Sequence, residues 1–192
     1  EVAMCQDNGI EYVELKVAFD GMAVMTHPDN EAVESLSFPD LYALIGPEAE
    51  GFESWSDAQD IATELGSDTE MPDAELKLTG PGTESGTYDS FIEIALEGIA
   101  EERGQEATTR SDYSASPDDN VIMSNIESSD TSLGWVGFAY ASQAGDAVRM
   151  LPISAEPGGE AVEPSAETIA DGSYPLSRSL YIYVNTARAE EN

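Results

Sequence analysis

The chain has 192 residues, of which 41% are hydrophobic, so it can form one domain, or one and a half, around a true core. Thirty-nine Asp and Glu residues oppose seven Lys and Arg residues, a formal net charge of −32 at pH 7. Because no basic patch or stripe is present, nucleic acids and anionic membrane surfaces are disfavoured as partners. The acids are spread among apolar residues, which indicates a solvated shell on a folded protein and predicts adaptation to high salt.

One cysteine, Cys5, and one histidine, His27, limit the enzyme classes. No intrachain disulfide can form, no zinc cluster of Cys and His can be assembled, and a Ser-His-Asp triad would have to use His27. His27 lies in THPDN, a turn composition, so we interpret it as a loop residue. No apolar run approaches the roughly 18 residues of a membrane span, so no direct membrane insertion is predicted. No cofactor and no metal site are predicted.

The first third of the chain predicts alternating helices and strands. Two segments, 1–9 and 38–46, read as helices ended by glycine, and Pro39 with Asp40 opens the second. The stretch 12–26 predicts two successive strands that meet at a bend at Asp20 and Gly21. A further helical pattern covers 54–65.

The segment from Leu78 to Glu101 is a glycine-rich turn that runs directly into an amphipathic helix, after a short strand predicted over 74–78. The helix is expected to begin near Thr87, and its first backbone N–H groups have no intrahelical partner. Ser85 and Thr87 add hydroxyls, so the turn predicts an anion site. The alternative is that Ser85 or Thr87 only caps the helix. Apolar side chains recur on one helical face, namely Phe91, Ile92, Ala95, Leu96 and Ile99.

The second half predicts one more helix and three strands. Pro117, with Asp118 or Asp119, makes a sound helix start. The apolar run 133–141 predicts a buried strand, 149–153 a second one, and 174–184 an alternating segment that ends as a strand.

Four motifs along the chain carry a resemblance to a known protein family. They resemble, in order and spacing, the phosphate-binding substrate-binding proteins of phosphate ABC transporters, and they read GPGTESGTYDSF, TRSDYSASPDDN, LGWVGFAYA and YPLSRSLYIYV. The resemblance implies an α/β fold of the type II periplasmic-binding class, with one nearly complete lobe and parts of a second.

The same resemblance implies how the chain divides between the lobes. Residues 1–18 would belong to the first lobe, 19–177 would form the second lobe with the anion-binding loop, and 178–192 would return into the first lobe. Members of the family begin with a further segment that contributes to the site, so the chain is expected to be a fragment. The expected hinge passages are 17–21 and 175–179.

The implied function is capture of inorganic phosphate and its delivery to the membrane permease of an ABC transporter, without catalysis. The resemblance places the protein in the periplasm or outside the cell, where a lipid anchor is compatible with it, and places the signal segment outside this chain. Two other classes stay open. A hydrolase would need His27 beside a serine, and an acidic module for cations or partner proteins would use Asp118 and Asp119.

The family's anion loop falls on 83–87 of this chain. Ser85, Gly86 and Thr87 match its Ser-Gly-Thr, and Thr83 precedes them within the same loop. The arginine that many members place just before this motif is missing. Arg110 is the nearest candidate for the charge partner, since a guanidinium can pair bidentately with phosphate. Pairing of Arg110 with Asp112 at the surface is the alternative.

Overall fold

The computed structural model describes residues 2–189. The strands are β1 (Tyr12–Thr26), β2 (Leu36–Ser37), β3 (Lys77–Gly80), β4 (Ser114–Ala115), β5 (Ser132–Gly137), β6 (Arg149–Met150), β7 (Ile153–Ser154) and β8 (Ser177–Asn185). The α-helices are α1 (Val2–Asp7), α2 (Phe38–Ile45), α3 (Gln59–Glu64), α4 (Gly86–Phe91), α5 (Glu97–Arg103), α6 (Asp119–Glu127), α7 (Phe138–Ala141), α8 (Ala166–Asp171) and α9 (Thr186–Ala189).

A mixed sheet in the order β4-β3-β5-β1-β6 forms the centre of the described chain, and β8 pairs with β1 outside this path. Strand β3 is parallel to β4 and β5, whereas β1 is antiparallel to β5, β6 and β8. Strands β2 and β7 form a separate parallel pair. The fold class is therefore α/β, as predicted.

Alternate residues of β1 serve two cores, one on each face of the sheet. Met22 and Val24 lie in the larger cluster with α2 and the segment after β3, while Ala23 and Met25 lie in a smaller cluster with α6. Trp135 of β5 stacks on Phe91 of α4, with ring centroids 4.8 Å apart. This contact fixes the helix that follows the glycine-rich turn against the sheet.

Strand β1 is one continuous element, and the predicted pair of strands with a bend at Asp20 and Gly21 is wrong. Its ladder with β8 shifts register between Lys16 and Ala18, a bulge that lets one strand twist from one layer into the next. Residues 12–19 pair with 179–185 of β8 to form an exposed two-stranded ribbon, and residues 22–25 are fully buried in the sheet. The strand therefore leaves the main body between Phe19 and Met22.

Four other element predictions were corrected by the structure. The strand expected over 74–78 lies at Lys77–Gly80. The expected strand 133–141 ends at Gly137, the last residue of β5 paired with β1, and α7 follows. The expected strand 149–153 is divided at Pro152, which lacks the N–H that a ladder needs. The expected helix 54–65 begins as a 3-10 turn at Trp55–Ala58. Helix α2 was predicted correctly, with Ser37 and Asp40 forming its capping box.

In the part of the chain that the structure describes, no helix combines the length and apolar character that crossing a bilayer requires.

Gly80 closes β3 against the large Trp135 ring, and a Cβ at Gly80 would lie 2.5 Å from Cζ3 of Trp135. We expect Gly80→Ala to destabilise the protein by about 1–3 kcal/mol, because the ring must leave its packed position. Urea unfolding in concentrated potassium chloride measures this change. Gly98→Ala is the matched control, since its Cβ would meet nothing within 4 Å and α5 should gain up to about 1 kcal/mol. Equal effects of the two substitutions would contradict the packing argument.

Candidate functional site

One edge of the sheet gathers the elements of the candidate site. Strands β3, β4 and β5 are parallel to one another, so Gly80, Ala115 and Gly137 end at the same edge, which we call the carboxyl edge. A helix follows each strand there, namely α4, α6 and α7. Met22 of β1 lies opposite Gly137, so the ribbon joins the main body at this same edge.

The glycine-rich turn connects β3 to a helical run over 86–103, in which a π-helical turn, Ile92–Leu96, joins α4 to α5. Ser85 is the N-cap: its Oγ accepts the Thr87 N–H at 3.2 Å, and its own N–H donates to the Gly82 carbonyl at 3.0 Å. The capping interpretation of Ser85 is therefore correct, and it leaves the hydroxyl proton of Ser85 available.

Three donors in this turn have no hydrogen-bond partner within residues 2–189: the Gly86 N–H and the hydroxyl protons of Ser85 and Thr87. Ser85 and Thr87 are partly exposed and Gly86 is exposed, so all three are accessible from solvent. The structure thus brings these three predicted residues together at a helix start. Such a cluster can hold one oxyanion by backbone and hydroxyl hydrogen bonds.

The outer side of the turn is acidic. Glu84 folds back over Gly82, where an added Cβ would lie 2.6 Å from its Oε2. Thr83 is exposed and lies at a groove that is also lined by Asp89 and Glu93 of the helical run. A phosphate contact from Thr83 therefore stays a prediction, made beside unfavourable charge.

The Arg110 guanidinium is bonded to residues outside the turn. Its guanidinium is 4% exposed, binds Asp112 through Nε and Nη2, and donates to the Phe52 carbonyl at 2.7 Å. Arg110 precedes β4 and lines a groove with Leu76 and Lys77, at the start of β3 and away from the carboxyl edge. No contact among the described residues joins this guanidinium to 83–87.

The Arg110–Asp112 pair stabilises a loop on the main body. Hydrogen bonds from Arg110, followed by one from the Gly51 N–H at 2.8 Å, lower the pKa of Asp112 to about 2 against the opposing effect of burial. The carboxylate thus stays charged at any ordinary pH. The alternative pairing of Arg110 with Asp112 is what the structure contains, with the Arg110 side chain buried and Asp112 at the surface.

The structure also shows the surroundings of the residues on which the two other function classes depend. Nδ1 of His27 accepts the Asp29 N–H at 3.2 Å in the turn after β1, and Thr26 marks the end of β1 away from the carboxyl edge. Asp118 caps α6 by accepting the Asn120 N–H at 2.9 Å. Burial, then the Asp118 charge, raises the pKa of Asp119. Within residues 2–189, no three His, Cys, Asp or Glu side chains are grouped as metal ligands.

Two further polar residues at the carboxyl edge were missed by the sequence analysis. The Ser116 N–H donates to the Gly80 carbonyl at 3.0 Å, beside the start of the turn. Tyr140 of α7 donates its hydroxyl to Oδ1 of Asn120 of α6, which joins two of the helix starts. Their position just after parallel strands was a usable signal. It went unused because β4 has only two residues and no strand pattern of its own.

This arrangement, a mixed sheet with helix starts at one edge and a strand leaving towards a second layer, agrees with the comparison to known families. Residues 1–191 match the PBP superfamily domain, and the chain belongs to this superfamily. The resemblance and the fold class inferred from the sequence are thereby confirmed.

Individual relatives are similar to this chain over nearly its whole length. Protein SphX of Synechocystis sp. is 34% identical over 100% of this chain and 52% of its own length. The phosphate-binding protein PstS of Staphylococcus saprophyticus is 30% identical over 97% of this chain and 51% of its own length. The chain thus spans about half the length of these curated relatives.

Solved structures agree with the fold. The crystal structure of a possible phosphate binding protein from Planctomyces limnophilus has a TM-score of 0.81 and 31% identity, over 98% of this chain and 61% of that one. PstS from Borrelia burgdorferi, with a TM-score of 0.68 and 19% identity over 97% of this chain and 66% of that one, shares the fold.

Proposed function

We propose that this chain captures inorganic phosphate outside the cytoplasmic membrane, in the periplasm or at the cell surface, and delivers it to the permease of an ABC transporter. The observation that carries the proposal is the turn at Ser85, Gly86 and Thr87, where three unpartnered donors start a helix at the carboxyl edge. Relatives whose names include phosphate-binding protein support the ligand. The protein performs no reaction in this proposal, and phosphate leaves unchanged.

The ribbon supports a two-lobed protein. One face is apolar, with Val13, Leu15 and Ile182 47% to 52% exposed. The other face carries tyrosines beside Glu14 and Lys16, and Tyr12 meets Tyr183 edge to face at 5.2 Å. A two-stranded ribbon with such an exposed apolar face is at best marginally stable alone in water and needs a covering layer. We therefore assign 1–18 and 178–192 to a first lobe and 19–177 to a second, with phosphate between them.

Net charge does not prevent such a protein from binding a dianion. Surface carboxylates act through water, and in molar salt their field decays over about 3 Å. The donors of Ser85, Gly86 and Thr87 are fixed at the ligand, and the helix start behind them adds a favourable dipole. The acidic shell thus slows capture at long range more than it weakens the bound state. Contacts from Thr83 and Arg110 stay predictions.

Replacing Thr87 by Val tests the turn. The side chain keeps its shape but loses a hydroxyl that we expect to donate to phosphate, and in a site open to water that hydrogen bond contributes about 1 kcal/mol net. Kd of this chain should rise roughly fivefold. Amide NMR titration with potassium phosphate in concentrated potassium chloride measures Kd and shows which residues respond.

Thr63→Val is the matched control, because Thr63 is exposed on α3 and lies outside the turn. Its Kd should equal that of the unmodified chain. Unchanged affinity in Thr87→Val would mean that the turn is a helix cap and no more, and the phosphate proposal would lose its main support.

A further inference from the structure

The basic side chains of the described chain are few, and most are occupied. Arg103 binds Glu48 and Glu64, Arg110 binds Asp112, and Lys77 binds Glu75. Arg149 donates to the carbonyls of Asn30 and Val33, and Lys16 lies 4.1 Å from the centre of the Phe19 ring. Arg178 differs, because its only ion pair within residues 2–189 is one long contact of 3.4 Å to Asp20.

Arg178 lies where the ribbon joins the main body. It is directly opposite Asp20 in the ladder between β1 and β8, one residue before Gly21 faces Ser177. Its side chain is 39% exposed, yet its Nε is buried without any hydrogen-bond partner. The guanidinium is thus poorly satisfied and accessible. Arg110 also has one buried nitrogen without a partner, Nη1, but its side chain is 4% exposed and it makes two bonds to Asp112 and one to the Phe52 carbonyl.

The strand register places Arg178 within reach of the turn. Thr79 of β3 aligns with Gly134 of β5, and Gly134 faces Met25 of β1, so the residues just after Gly80 lie level with the start of the buried part of β1. Arg178 is at that level on β8. The Met22 N–H points to Leu176, and the Val24 carbonyl accepts from Leu151 after β6, so β8 lies on the edge of β1 away from β5.

The remaining gap fits one bound anion. From β3 through β5 and β1 to β8 there are three strand spacings, or about 14 Å. Side chains on a strand stand roughly perpendicular to the sheet, so the Arg178 side chain, which is roughly 6 Å long, has to lean across β1 to shorten this distance. A tetrahedral oxyanion that bonds to Gly86 and Thr87 on one side and to the leaning guanidinium on the other would then span most of the rest.

We propose that Arg178 is the cationic ligand of the bound phosphate, in the place that the sequence analysis gave to Arg110. This inference rests on the proposed function. On binding, the guanidinium exchanges its single long contact with Asp20 for a bidentate, charge-assisted pair with phosphate, and Asp20, which is 44% exposed, turns to solvent. Because Arg178 is on the strand that connects the ribbon to the main body, binding draws the ribbon towards the turn.

The test uses the 192-residue chain in about 2 M potassium chloride, followed by amide NMR during titration with potassium phosphate. Arg178→Gln should weaken binding at least tenfold, as expected for loss of a charged hydrogen-bonding partner. Arg188→Gln makes the same charge change on α9, at the far end of the ribbon, and should leave Kd unchanged.

Asp20→Asn gives a second, independent measurement. Removing the competing carboxylate should tighten phosphate binding a few-fold, and this gain should vanish when Arg178→Gln is also present, as a double-mutant cycle would show. A merely structural ion pair predicts no gain. If Arg178→Gln loses its fold by circular dichroism, Asp20→Asn decides alone, and unchanged or weaker binding overturns the assignment.

The outcomes separate this inference from the proposed function. Wild-type affinity in Arg178→Gln, together with weak binding in Thr87→Val, overturns the Arg178 assignment and leaves phosphate capture standing. Weakening in Arg110→Gln but not in Arg178→Gln returns the role to Arg110. If the unmodified chain shows no amide shifts with phosphate, both the function and the assignment fail.

Discussion

The thermal midpoint of this chain is expected to rise by more than about 5 °C as potassium chloride goes from about 0.1 M to above 1 M, where the Debye length falls from about 10 Å to 3 Å. With 39 acidic residues against seven Lys and Arg, the surface repels itself in dilute buffer. At this chain size each kcal/mol of stability corresponds to about 2–4 °C, so a gain of only about 2 kcal/mol would already be visible.

The long helical run shows where the repulsion acts. Asp89, Glu93, Glu97 and Glu101 follow one another at intervals of four residues on the run over 86–103. Like charges at this spacing destabilise a helix by about 0.2–0.5 kcal/mol per pair at low salt, and added salt removes most of that cost. Few cations on the described surface offset it, since Arg103 at the end of α5 binds Glu48 and Glu64.

Circular dichroism melts over a salt series measure this effect. The variant carrying both Glu93→Gln and Glu97→Gln should melt at a higher temperature in about 0.1 M salt and respond less steeply to added salt, because all three like-charge pairs of this series are removed. A midpoint that stays flat or falls for the unmodified chain would contradict the prediction of adaptation to high salt.

The second large effect concerns affinity. We expect the 192-residue chain by itself to bind phosphate with a Kd of about 1 mM at best, which corresponds to about −4 kcal/mol. Two-lobed binders close two surfaces over a ligand, and the turn at Ser85 to Thr87 supplies one of them. In open water each hydrogen bond to phosphate contributes about 1 kcal/mol net, so three or four of them barely offset the cost of association.

Phosphate titration followed by NMR, with sedimentation velocity on the same sample, tests this expectation. Micromolar affinity of a monomer would show that one lobe suffices. Micromolar affinity that appears together with dimers would show that two copies of the chain complete one site, and their exposed ribbons would be the contact to examine first.

Much of this protein could be predicted from local sequence. The glycine-rich turn and the helix after it follow from Gly80, Gly82 and the cap at Ser85, which act within a few residues of each other. Helix α2 follows in the same way from Ser37, Pro39 and Asp40. The acidic shell is a property of composition and needs no coordinates. Short-range rules determine such features because the interacting groups are neighbours along the chain.

Tertiary structure decided the partners of the two arginines and the path of β1. Arg110 pairs with a residue two positions away, but its buried guanidinium also donates to the Phe52 carbonyl, and the Gly51 N–H donates to Asp112; nothing in the local sequence reports these contacts. Arg178 meets Asp20 across 158 positions of sequence. Strand β1 continues through Gly21 without a break because two different partner strands, β8 and then β5, hydrogen-bond its two halves. Contacts of this kind depend on which strands pair, and a single sequence does not state that pairing.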